Sequence, residues 1–210
     1  YAKFSTSVEP YKMIAPAAIP PSLAPKAEDN LIMLQVSDLM AEKWGVSREE
    51  CDAYALRSQM LTKQAMESGF LDNQIAPVII PATKKTPEVV VAKDEHPRLT
   101  SEEKLATLKP VFDANGTVTV GNACGRNDGA AVVLLMSGRK VKELGVKPMA
   151  KIIGYSTAGV DPRVMGIGPI PAVRKVLDRL NMTIDQMDLI ELNEAFAAQA
   201  VACVKELGID

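Results

Sequence analysis

Apolar residues recur along the chain with two different periods, and the change from one to the other divides it. A helical pattern starts near Leu34 and continues through Cys51, Tyr54, Ala55, Ser58, Leu61 and Ala65, which share one face of a 3.6-residue period. Ser47-Arg48-Glu49-Glu50 has the Ser-x-x-Glu form of a capping box, in which two side chains satisfy two otherwise orphaned amides, and Gly69 can stop the helix. Ahead of this region, Ile14 to Pro25 reads IAPAAIPPSLAP, whose four prolines fix φ and remove backbone donors, so an extended loop is expected. Between Ile75 and Val91, β-branched runs interrupted by Pro77, Pro81 and Pro87 predict short or edge strands. Thr100, with Glu103 three residues on, is a second capping candidate for a short helix ending near Leu108.

From Thr117 the period shortens. Thr117 to Val120 reads as a strand, a Gly-Asn-rich turn follows, and Ala130 to Met136 is a continuous apolar run of strand length. Ser137 can cap a helix that closes at Gly145. The remainder predicts a strand (149–156), a loop, a helix (171–180), a strand (188–192) and a helix (194–207). Such alternation is the pattern of βαβ units on a buried, mostly parallel sheet, and it places a boundary near Thr117.

Composition narrows the functional classes. The 210 residues are 47% hydrophobic and 24% charged, in the globular range, and only 4% aromatic, so aliphatic side chains and Met must fill the core. A formal net charge of -2 offers no basic field for nucleic acid or anionic lipid. Cys51, Cys124 and Cys203 lack CxxC spacing, which argues against a disulfide framework or zinc site and fits a reducing compartment such as the cytoplasm. No apolar run reaches the roughly 20 residues of a membrane span. The start, Tyr1-Ala2-Lys3-Phe4, is neither signal peptide nor initiator methionine, so the chain is expected to begin in mid-protein.

Three segments can carry chemistry. In Asp188-Leu-Ile-Glu-Leu-Asn193-Glu-Ala-Phe-Ala-Ala-Gln199 an Asn falls where a predicted strand hands over to a helix, and ligands gather at such strand ends. Asn193 is equally readable as a plain N-cap, with Glu194 in the first turn against the helix dipole. In Gly121-Asn-Ala-Cys124-Gly-Arg-Asn-Asp-Gly129, glycines flanking a thiol allow close approach of a ligand. A nucleophilic Cys124 would need a base, and nothing in the sequence brings His96, the sole histidine, to it; the competing reading is a small thiol in a tight turn. Gly166-Ile-Gly168-Pro-Ile-Pro171 opens a helix but lacks the dinucleotide fingerprint. Arg98 and Lys104 read as solvated charges.

Taken together these segments resemble the thiolase family from about Leu31 onward. Residues 116–131, Gly-Thr-Val-Thr-Val-Gly-Asn-Ala-Cys-Gly-Arg-Asn-Asp-Gly-Ala-Ala, resemble its T-V-T-x-G-N-A-S-G-x-N-D-G-A-A block. Residues 159–172 resemble its G-x-x-P-x-x-M-G-x-G-P-x-P-A loop, and Asn193-Glu-Ala-Phe-Ala matches its N-E-A-F-A motif. The resemblance implies an α/β enzyme with a layered α-β-α-β-α fold and an inserted loop domain, only partly represented here. On that reading residues 1–117 are mainly the CoA-binding loop domain, 118–145 end the N-terminal half, and 146–210 start the C-terminal half.

The implied reaction is ping-pong acyl transfer in the reversible condensation or thiolysis of 3-oxoacyl-CoA, with acyl-CoA as substrate, no tightly bound cofactor and no metal. Family members are usually homodimers or homotetramers, in the cytoplasm or, in eukaryotes, the mitochondrial or peroxisomal matrix. Asn193 corresponds to the Asn that builds an oxyanion hole by holding a water, the one catalytic assignment. Met33, Phe112, Met165, Ala195 and Phe196 correspond to walls of the pantetheine and acyl tunnel, and Arg98 to a basic residue near the nucleotide end. Cys124 stands where the family has a Ser beside the pantetheine amide, Ile32 where short-chain members have His, and Leu34 where a Gly is common. The family's Cys-x-Ser-Gly, Gly-His-Pro and Cys-x-Gly-Gly motifs do not occur in the 210 residues. The nucleophile and base are thus expected outside this stretch, the alternative being an inactive CoA-binding or assembly module.

Overall fold

The structure is a computed structural model that describes residues 24–125, 127 and 129–209, together with the backbone of two short paired strands, β1 (Lys3–Phe4) and β2 (Met13–Ile14). Residues 15–23 of the expected proline-rich loop lie outside the described residues, as do Arg126 and Asp128 of the Gly-Asn-rich turn.

Helices form where the sequence supplies their ends. α1 (Met33–Trp44) closes at Gly45, whose φ of 59° is the left-handed value that glycine adopts without strain. α2 (Arg48–Glu67) begins with the predicted capping box: the Glu50 amide donates to Ser47 Oγ at 3.2 Å and the Ser47 amide to Glu50 Oε2 at 2.9 Å. A hairpin of β3 (Val78–Ile80) and β4 (Val89–Val91) follows, antiparallel, with Val78 opposite Val91. α3 (Glu102–Ala106) is capped by Ser101, which accepts from the Lys104 amide, and not by Thr100; the chain enters the helix one residue later than the Thr-x-x-Glu spacing suggests. α4 (Gly138–Leu144) has the expected Ser137 cap and stops at Gly145. α5 (Pro169–Leu180) follows a 3-10 turn over Pro162–Ile167, and α6 (Ala197–Leu207) ends the described chain.

The core lies where α1, α2, α5 and the 162–167 turn meet α6. Every residue of α6 from Ala197 to Cys203 is buried. Small side chains make that centre possible, since Ala197, Ala198, Ala200 and Ala202 let neighbouring backbones close in from several sides. Val36, Met40 and Ala41 of α1, Cys51 of α2, and Val46 and Val164 complete the cluster.

The expected buried, mostly parallel sheet is not formed among the described residues. Among the described residues the only strands are the two short antiparallel pairs, and 130–136, 149–156 and 188–192 run without strand pairing. Their side chains face outward: Val132 is 96% exposed, Leu134 84% and Met149 104%. A helix satisfies its amides within its own segment, whereas a strand needs a neighbour, so an apolar run alone does not become a sheet. Thr117–Val120 fails to form a strand for a different reason. Its amides are taken by side chains: Thr117 and Val118 donate to Asp38 Oδ1 at 2.8 and 3.1 Å, and Thr119 to Asn122 Oδ1 at 2.8 Å.

Candidate functional site

Three segments distant in sequence converge beside α6. Asn122 to Cys124 lies antiparallel to Ala195–Ala197: the Cys124 amide donates to the Ala195 carbonyl at 3.0 Å, and the Ala197 amide to the Asn122 carbonyl at 2.9 Å. The Asn122 side chain fixes the first of these segments from beneath. Its Nδ2 donates to Asp52 Oδ1 and to the Thr117 carbonyl, both at 2.9 Å. Asp52 in turn accepts from Arg48 Nε at 2.7 Å, and the Arg48 guanidinium also donates to the Leu105 and Leu108 carbonyls of α3 and its exit. A charge-assisted network therefore joins α2, α3 and the turn.

The third segment enters at Gly166. A Cβ there would lie 2.6 Å from Met40 Sδ and 2.9 Å from Gln199 Cγ, so only glycine lets the 162–167 turn rest against α1 and α6 without displacing them. The Cys203 thiol completes the junction, within 3.6 Å of the Gly166 carbonyl and of Gln199 Nε2.

Beside this junction, against Met40, Gly166 and Gln199, lies an open cavity of about 480 Å³ that is mostly apolar. Met33, Met165, Asn193, Ala195 and Phe196, five of the residues selected from sequence, line it together. The other three lie elsewhere. Phe112 is half exposed on a separate cleft beside Asp38 and Gly116. Arg98 is exposed, its amide donating to Gln59 Oε1 at 2.9 Å, and its guanidinium makes no ion pair among the described residues. Cys124 is an exposed free thiol on a smaller cavity of about 200 Å³.

That smaller cavity also contains His96, so the structure brings together the one histidine and the thiol that the sequence gave no reason to join. The imidazole packs on the backbone of Gly125, where a Cβ would lie 2.6 Å from His96 Cε1. No hydrogen bond links His96 to Cys124 among the described residues. Nearby, Ser58 Oγ donates to Glu194 Oε2 at 2.6 Å, and burial, reinforced by the Glu194 charge, pushes the Tyr54 phenol up to about 12. The buried Cys51 thiol is likewise pushed up to about 11, chiefly by desolvation and then by the Asp52 charge, so it stays protonated and unreactive at neutral pH.

The capping roles expected of Asn193 and Glu194 are not observed. α6 starts at Ala197 with Phe196 in the capping position, because pairing with Asn122–Cys124 holds the chain extended up to Ala197. Glu194 instead accepts from Ser58 on α2. Two residues that line the larger cavity escaped the sequence reading, Ser37 and Gln199. Each had a signal. Ser37 is a polar member of the stripe Met33, Val36, Ser37, Met40, Ala41, and Gln199 interrupts the run Ala195-Phe-Ala-Ala-Gln-Ala-Val. Among the described residues no cluster of His, Cys, Asp and Glu could hold a metal, and no helix is long and apolar enough to cross a membrane.

Comparison with known proteins places these segments in context. Residues 11–139 match the family model described as thiolase, N-terminal domain, and residues 146–210 the one described as thiolase, C-terminal domain. An acetyl-CoA acetyltransferase of Syntrophomonas wolfei is 52% identical over 167 residues, covering 80% of this chain and 42% of that relative. The crystal structure of the Bacillus anthracis acetyl-CoA acetyltransferase superposes with a TM-score of 0.80 at 50% identity, over 86% of this chain and 46% of that one. Human mitochondrial 3-ketoacyl-CoA thiolase in complex with CoA gives 0.79 at 40% identity, over 88% and 46%. The chain thus spans less than half the length of these relatives, and it represents part of their layered α/β fold.

Proposed function

The chain belongs to the thiolase family, and from that premise we propose that it supplies the CoA tunnel and one oxyanion-hole residue of a thiolase-type acyltransferase. The reaction is the reversible Claisen condensation and thiolysis of 3-oxoacyl-CoA, for example two acetyl-CoA to acetoacetyl-CoA and CoA. One observation carries this reading: Asn193 lies on a mostly apolar cavity whose walls include Met33, Met165, Ala195 and Phe196. A slender thioester fits apolar walls of this kind, and an amide set among them is where negative charge developing on a carbonyl oxygen would be stabilised, here through a held water.

Arg98 is assigned to the nucleotide end of CoA, where its exposed guanidinium suits phosphate, Cys124 to the pantetheine amide and Phe112 to the outer wall. CoA is a passing substrate in this scheme and no cofactor stays bound. The nucleophilic cysteine and the catalytic histidine come from outside these 210 residues, which contain none of the three motifs that carry them in the family. We assign residues 1–117 mainly to the loop domain, 118–145 to the end of the N-terminal half and 146–210 to the start of the C-terminal half, in a homodimer or homotetramer of the cytoplasm or an organelle matrix.

One further reading takes the same apolar walls as a binding site alone, in an inactive CoA-binding or assembly module. Calorimetric titration of the 210-residue protein with CoA, beside an acetoacetyl-CoA thiolysis assay, separates the readings. CoA binding without thiolysis is expected of this chain alone, and absence of CoA binding would sink both. In a longer form that turns over, Asn193→Ala should lower kcat by about 10²–10³-fold with little change in CoA affinity. Unchanged kcat there would sink the oxyanion-hole assignment of Asn193.

A further inference from the structure

The bridge between Ala123 and Phe196 is an isolated one, made by two backbone hydrogen bonds. So short a pairing does not hold its own register, and something else must fix it. The buried network beneath the turn does so at two neighbouring residues. Asn122, 5% exposed, has its whole carboxamide engaged: Oδ1 accepts from the Thr119 amide, and Nδ2 donates to the Thr117 carbonyl and to Asp52 Oδ1. Gly121 rests on α3 and its exit, where a Cβ would lie 2.5 Å from Leu105 Cδ2 and 2.6 Å from Leu108 Cδ1. The carbonyls of those same two leucines accept from the Arg48 guanidinium, each at 2.9 Å, and Arg48 is paired with Asp52 at 2.7 Å. One ion pair on α2 therefore locates both residues, Asn122 directly and Gly121 through the ledge on which it sits.

What is located in this way faces the cavities. Cys124 follows Asn122 by two residues, and the segment it pairs with carries Ala195 and Phe196, walls of the larger cavity, just beyond Asn193. Neither Asp52 nor Arg48 lines that cavity or the smaller one, so the pair acts only through the segments it holds. Misplacing a group by about 1 Å costs on the order of 10²-fold in rate, so the hold of a turn is felt at the chemistry. We propose that Asp52, with Arg48, is a positioning residue of the site: it sets 122–124 against 195–197 and thereby places Asn193 and the cavity wall against the thioester. This deepens the function proposed above and rests on it for the reaction; the hold on the bridge rests on the hydrogen bonds alone.

Asp52→Ala in the 210-residue protein is followed by amide hydrogen exchange, with global stability measured by urea unfolding. The Cys124 and Ala197 amides, the two donors of the bridge, should exchange about tenfold faster than the loss of global stability gives to the amides within α1 and α5. Unaltered protection of those two amides overturns the proposal, and so does an equal acceleration of all protected amides, the mark of a structural role alone. If Asp52→Ala does not fold, Arg48→Lys, which keeps a charge beside Asp52 but loses the fork that reaches both leucine carbonyls, takes its place. In a longer form that turns over, the same variant, assayed where it is fully folded, should lower kcat about 10–10²-fold with a smaller change in KM. An unchanged kcat, with or without a change in KM, overturns the placement of Asn193. Absence of both CoA binding and thiolysis in the unsubstituted protein counts against the proposed function only, and the exchange measurement then decides the hold on the bridge by itself.

Discussion

The buried junction around α6 and the run from 130 to 136 are both rich in small and aliphatic residues, yet they have opposite fates. Ala200, Ala202 and Cys203 are completely buried, whereas Val132 and Leu134 project into solvent. The difference is in how the backbone is satisfied. α6 makes its own hydrogen bonds and needs neighbours only for its side chains, and α1, α2 and the 162–167 turn supply them. Residues 130–136 have side chains fit for a core and amides without a ladder. Apolar patterning states what a segment is ready to bury; whether it does so depends on partners elsewhere in the chain.

Substitutions can test how sharp this contrast is. Met40→Ala removes a fully buried side chain between α1 and Gly166 and should cost about 2–5 kcal/mol, while Val132→Ala, at a side chain 96% exposed, should stay within about 0.5 kcal/mol. Urea unfolding of the two variants measures both, and equal losses would erase the distinction between the regions. Asn122→Ala should fall between them at roughly 1–3 kcal/mol, since it leaves Asp52 Oδ1 and the Thr119 amide without partners. A loss no larger than that of Val132→Ala would show that the network beneath the turn does not hold it.

The smallest expected effect is on pH dependence. The Cys51 thiol is raised in the folded state from 9.0 to about 11, so its contribution to stability is complete below pH 9 and fades as the pH climbs through about 11. Tyr54, raised from 10.0 to about 12, adds the same sign of dependence slightly higher. Urea midpoints between pH 8 and 11 should therefore decline, and more gently in Cys51→Val. An identical slope in that variant would assign the decline to Tyr54 or to the rest of the protein.

Much of the helical half was legible beforehand, because caps are local. Ser47 with Glu50, Ser137 and Gly145 act where their spacing suggested. Thr100 shows the limit of such reading, since Ser101 one residue later offers the same chemistry and takes the cap. Of the residues chosen through the motifs, Met33, Met165, Asn193, Ala195 and Phe196 meet on one cavity, while Phe112, Arg98 and Cys124 do not join them. What the motifs did not convey was backbone pairing between distant segments. The bridge of Ala123 with Phe196 shifts the start of α6 past Asn193, and no local rule contains that information. The short strands expected between Ile75 and Val91 formed because each had a partner close in sequence, whereas 130–136, 149–156 and 188–192 found none among the described residues, pairing being a property of two segments and not of one.

That bridge also bears on the order of folding. It joins positions about seventy residues apart, so its formation carries a loop-closure cost that α1 and α2, each hydrogen-bonded within its own segment, do not meet when they form. The helices can therefore form before the bridge does, while the smaller cavity, lined by Asn122, Cys124 and Ala197, exists only once Ala195–Ala197 has found Asn122–Cys124. The place where thiol and imidazole share a wall is thus a product of long-range closure and not of any one segment.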